Sequence, residues 1–62
     1  MIATITRAYV RTYPDNGQVI AYVEWVNDKG QPGRTEGRES NGHMIALLLR
    51  AEREGVTVER ER

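Results

Sequence analysis

No cysteine occurs among the 62 residues, which removes disulfide braces, thiolate metal sites and cysteine nucleophiles together. The single histidine cannot supply a tetrahedral zinc site unaided, because zinc asks for three or four strong ligands. A domain of this length buries only about 60 % of its unfolded surface, and small scaffolds are commonly braced by disulfides, a metal or a second subunit. The composition removes the first two braces and leaves the third, so a homodimer is expected, with no metal and no cofactor.

Net charge is missing as well. Nine Lys and Arg balance nine Asp and Glu, so the chain lacks the cationic excess with which dedicated nucleic-acid binders neutralise phosphates. Long apolar runs are absent too: no stretch approaches the ~20 residues of a membrane span, and MIATITRAYV lacks the charged-then-apolar pattern of a secretory signal. A cytoplasmic location without membrane contact is the expectation.

What is present divides into five segments. Ile2 to Tyr13 is rich in Ile, Thr, Val and Tyr, residues that fit a pleated sheet. Strict alternation would split its apolar residues between faces, and a bulge near Thr6–Arg7 would place Ile5, Ala8 and Val10 on one side. Asn16-Gly17 predicts a tight hairpin with a type I′ turn. Val19 to Val26 is apolar on nearly both faces, as in a central strand. A second turn is centred on Asp28 to Gly30. A short polar strand over Gly33–Gly37 follows, preceded by Pro32 and protected at a sheet edge by Arg34 and Glu36.

Ser40 or Asn41 can cap a helix, apolar residues follow at 44, 45, 47, 48, 49 and 51, and Gly55 suits the left-handed residue that ends helices. VTVERER then reads as a last strand, with Val56 and Val58 facing inward. The order β-β-β-α-β makes one α+β two-layer domain over 1–62: a three-stranded antiparallel meander, one helix and a short C-terminal strand.

The helix carries more apolar surface than one small sheet can cover. At 100° per residue, Leu47, Ala51, Met44, Leu48, Ile45 and Leu49 span roughly 200°, about twice the arc of an ordinary surface helix. Burial of one further Leu is worth about 1.5–3 kcal/mol. A protein interface is therefore expected on the Ile45–Leu49 edge or the Leu47 edge, with Tyr13 as an exposed aromatic anchor. Glu52 lies within the arc but reaches water from the last turn. ERER offers a further route: Glu59 or Glu61 opposite Arg60 or Arg62 of a twin strand would extend the sheet across a two-fold axis.

His43 has no readable nucleophile, metal or orienting partner, and it is expected as a solvent-facing residue of the first helical turn. Trp25, Tyr9, Tyr13 and Tyr22 could stack on bases or on a protein partner; core packing is the expectation for Trp25. Eight of the nine basic residues are Arg, suited to bidentate contacts with phosphate or carboxylate. Arg7, Arg11, Arg34 and Arg38, with Tyr13, are the candidate nucleic-acid contacts.

Asp15 in RTYPDNG, the aromatic run AYVEW, and SNGHMIALLLRA followed by VTV together resemble the first half of the ribonuclease H family. That family places an aspartate near glycine on its first strand and a glutamate after the methionine of its first helix. The resemblance implies a two-metal phosphodiester site, but Ile45 stands where the helix carboxylate belongs. Glu59 and Glu61 are poor substitutes on the last strand. The resemblance therefore implies a relative without the catalytic set. The strand-helix order also resembles double-stranded-RNA-binding domains and the arm-binding domains of tyrosine integrases, which grip phosphates with basic loops and helix starts. Arg34, Arg38 and Asn41 are the matching residues here, opposed by Glu36 and Glu39. The sequence points to a small non-catalytic interaction protein, an accessory of a bacterium, phage or plasmid. Nucleic-acid binding is the alternative, and ribonuclease-H-like hydrolysis the remote one.

Overall fold

The computed structural model describes residues 1–61 and has the expected α+β architecture. Strands β1 (Ile2–Tyr13), β2 (Gln18–Asn27) and β3 (Pro32–Arg38) form an antiparallel meander, helix α1 (Gly42–Arg53) crosses one face, and β4 (Val58–Glu61) closes the sheet. The strand order is β3-β2-β1-β4, with β4 parallel to β1. Both β1 and β2 are therefore interior, and β3 and β4 are the edges.

The first hairpin departs from the expected type I′ turn, since Asn16, unlike Gly17, does not take positive φ. Pro14 starts a loop over 14–17 in which Gly17, at φ 69°, donates its N–H to the Tyr13 carbonyl at 2.9 Å. Proline favours the first corner of a type I turn, and that geometry suits a longer loop closed by a left-handed glycine. In the second turn the Asn27 carboxamide oxygen accepts from Lys29 and Gln31 N–H at 2.9 Å each, and Gly30 takes the positive φ.

The register of β1 against β2 slips between Ile5 and Arg7, and again between Ile2 and Thr4. The first slip is the expected bulge. It brings Ile5, Ala8 and Val10 onto the helix side, where they join Ala21, Val23, Met44, Leu47, Leu48 and Ala51 in the buried core. Ala8, Ala21 and Ala51 are fully buried, so small side chains set how closely helix and sheet approach.

Asn41 caps α1, its side-chain oxygen accepting from His43 N–H at 2.9 Å and Met44 N–H at 3.4 Å. The helix ends in a Schellman arrangement: Gly55 N–H bonds Glu52 O at 3.0 Å and Val56 N–H bonds Ala51 O at 2.9 Å, with Gly55 at φ 82°. Such an ending satisfies carbonyls that the last helical turn leaves free. Because Val56 belongs to this cap, β4 begins at Val58, two residues later than the start of VTVERER. Val56 and Val58 nevertheless both pack on the core.

A side-chain clamp completes the junction between α1 and β1. Among the described residues, β4 pairs with Ala8 to Arg11, so the first residues of β1 have no strand neighbour on that side. Arg50 Nη2 donates to the carbonyls of Ile2 and Ala3 at 3.1 and 3.2 Å, and Glu54 Oε1 accepts from Ile5 N–H at 3.3 Å. Arg50 and Glu54 bind one another at 2.6 Å. One side chain from the last helical turn and one from the C-cap residue Glu54 thus supply hydrogen bonds that a longer β4 would have made.

Candidate functional site

The sheet face turned away from α1 carries the candidate cations. Tyr9 and Tyr22, directly paired across β1 and β2, stack with ring centroids 4.9 Å apart. Arg7 lies over Tyr9 at 4.4 Å, while Arg34 and Arg11 lie over Tyr22 at 5.5 and 6.0 Å. These arginines make the two tyrosines buried residues on a nominally open face. Tyr13 is half-buried and shares a hydroxyl–hydroxyl hydrogen bond with Tyr22. That bond, together with burial, raises the Tyr22 pKa.

Carboxylates meet most of these cations. Arg7 contacts Glu59 at 3.1 Å, Glu24 at 3.7 Å and Glu61 at 3.8 Å; Arg11 contacts Glu61 at 2.9 Å; Arg34 contacts Glu36 at 3.7 Å. Hydrogen bonds to Glu59 and Glu61 raise the pKa values of Arg7 and Arg11 respectively. The structure does bring Arg7, Arg11 and Arg34 together with the tyrosines, but the arginines cover the rings on which bases would stack. It also sets four acids, Glu24, Glu36, Glu59 and Glu61, against these three arginines, so a phosphate would have to displace carboxylates already in place. Arg38, at the end of β3, has no ion pair among the described residues.

On the other side of the molecule, Ile45 and Leu49 are 45 % and 55 % exposed. They stand one turn apart on α1, near an open groove between helix and β4 lined by Leu48, Glu52, Val56 and Val58. Leu47 requires a correction: at 7 % exposure it belongs to the core. Helical periodicity gives the width of the apolar arc but not its centre. The sheet takes the arc from Leu47 to Leu48, so the uncovered excess lies wholly on the Ile45–Leu49 edge.

The pairing expected of ERER also fails on geometry. Glu59 lies on the outer face with Arg7, whereas Arg60 bonds Glu39 at 2.7 Å and lines the helix-side groove. Directly opposed residues of an antiparallel pair share a face. In a two-fold pairing, Glu59 of one β4 would therefore meet Glu59 or Glu61 of the other, a like-charge contact. The part of that expectation resting on Arg62 lies outside the described residues.

His43 is exposed in the first helical turn and Asp15 is exposed in the first hairpin loop. Among the described residues, no group of three or more His, Asp and Glu side chains is placed to hold a metal ion. At the helix start, Asn41 already occupies two of the N–H groups that a phosphate would use. No helix among the described residues is long and apolar enough to cross a membrane.

Two features escaped sequence reasoning. The Arg50–Glu54 clamp was signalled only by spacing, a cation and an acid four residues apart. The other is the inner face of β3, where Gly33, Thr35 and Gly37 alternate with Arg34, Glu36 and Arg38. The glycines leave room for Trp25 over Gly33 and Met44 over Gly37, and Trp25 Nε1 donates to Thr35 Oγ1 at 3.0 Å. Compared with protein-family models, curated proteins and solved structures, the chain matches none of them.

Proposed function

We propose that this chain is a small non-catalytic binding protein that acts as a homodimer and presents the Ile45–Leu49 flank of α1 to a protein partner. The carrying observation is that flank: two large aliphatic side chains one turn apart, uncovered in a chain with very little core to spare. Solitary exposed hydrophobes need no explanation, but two large ones side by side on one helix flank suit an interaction surface. The cysteine-free composition supports a reducing, cytoplasmic setting. The charge-balanced outer face favours a protein partner over nucleic acid.

Sedimentation at micromolar concentration tests the dimer. The expected species has about twice the 7.1 kDa chain mass, and a single-chain species at every concentration overturns it. Exchange of Leu49 for Ser tests the flank, and should remove partner binding while leaving the fold and the dimer intact. A salt-sensitive shift of labelled DNA or RNA, lost in Arg7→Gln, would instead favour the nucleic-acid reading.

A further inference from the structure

We infer that two copies of this chain join through the free edge of β3, antiparallel about a two-fold axis at Thr35, to make one continuous eight-stranded sheet. This rests on the homodimer proposed above and assigns its seam. Ile45 and Leu49 alone are too small an area for it. A stable interface buries about 800 Å² per partner, close to a fifth of this chain's 4358 Å² surface, so the seam needs an element with more to contribute.

Strand β3 presents the necessary backbone groups. Asn27 N–H bonds Gln31 O, and Glu39 N–H bonds Val19 O; both fix the odd-numbered residues of β3 as those bonded to β2. The N–H and C=O groups of Arg34, Glu36 and Arg38 therefore point out at the free edge, together with the carbonyl of Pro32.

In a two-fold pairing, opposed residues must share a face, which limits the registers. Centring on Arg34 or on Glu36 puts identical charges against each other on the axis. Centring on Thr35 places Arg34 of each copy opposite Glu36 of the other, giving two opposite-charge pairs, with threonine against threonine between them. Both kinds of pair stabilise antiparallel strands. The same register opposes Pro32 to Arg38. Proline has no N–H to offer, and the Arg38 carbonyl needs none, because it already accepts from Asn41 N–H at 2.9 Å. Roughly six interchain backbone hydrogen bonds result with no edge group left unmatched. On the inner face, Gly33 and Gly37 oppose each other and raise no steric barrier. The other edge, β4, is excluded by its carboxylates, as described above.

Cross-linking and charge exchange test this directly. Thr35 would form a non-hydrogen-bonded pair with Cα atoms about 4.5 Å apart, within disulfide reach, and the chain has no other cysteine. Oxidised Thr35→Cys should run as a covalent dimer on a non-reducing gel, whereas Leu49→Cys should not. Arg34→Glu alone and Glu36→Arg alone should each weaken self-association roughly tenfold or more, as like charges become opposed. Mixing the two variants should restore it, since each then meets its opposite. Circular dichroism establishes that every variant is folded. A wild-type monomer removes the homodimer reading itself. A wild-type dimer that resists both charge exchanges, or that cross-links through Leu49→Cys and not Thr35→Cys, overturns the β3 seam and leaves the homodimer standing.

Discussion

At the scale of single residues, the least replaceable positions are not the charged ones. A Cβ on Gly33 would lie 2.3 Å from Cη2 of Trp25, so Gly33→Ala must push the indole away and break its bond to Thr35. Overpacking of this kind costs about 1–3 kcal/mol, and urea unfolding should show a loss in that range. Gly37→Ala meets only the flexible Met44 side chain at 3.1 Å and should cost less. Glu54 makes a second residue-scale prediction. Its pKa is lowered below the ordinary carboxylate value of 4.5, mainly by the Arg50 hydrogen bond and then by Ile5 N–H. A lowered folded pKa means stabilisation that is complete above the unfolded value and lost as pH falls through the folded one. Glu54→Gln should therefore melt below the wild type at neutral pH, and the gap between their melting temperatures should close on acidification below 4.5.

At the scale of elements, α1 is an adhesive stripe with one side overfull. Leu47→Ala opens a cavity against the sheet and should cost about 2–5 kcal/mol; Leu49→Ala removes a half-solvated side chain and should cost less than about 1 kcal/mol. Equal losses in thermal melts of the two variants would contradict the placement of the helix. This contrast also marks what the sequence could disclose. Existence and order of the elements were legible, because Ile, Val and Thr runs, the glycine and asparagine turns, the Asn41 cap and Gly55 all act locally. The bulge was legible from the broken alternation of Ile5, Ala8 and Val10. Which neighbour each strand takes is set by long-range packing, so the parallel β1–β4 pair and the helix's orientation were not. The Leu47 and ERER expectations failed for that reason. The self-complementary spacing of Arg34, Thr35 and Glu36 was in plain view, but it acquires meaning only once β3 is known to be a free edge.

At the scale of the whole molecule, the two sheet edges are treated differently. Edge β4 is short and bears carboxylates on its outer face, so it would oppose a twin with like charges; β3 is longer, and in the proposed seam its Arg34 and Glu36 would complement one. A chain with one permissive edge closes into a pair and stops, whereas two permissive edges would propagate into fibres. If folding and pairing are coupled, the melting temperature should rise with protein concentration. A melt that is independent of concentration over a hundredfold range would leave the single copy as the stable unit.

The lone tryptophan gives all of this an optical consequence. Its indole rests on Gly33 and donates to Thr35, so it sits beside the strand that a second copy would cover. Dilution from high to low concentration should therefore shift its fluorescence emission to the red as water reaches the ring. That shift needs no label, and it should be abolished when oxidised Thr35→Cys locks the two copies together.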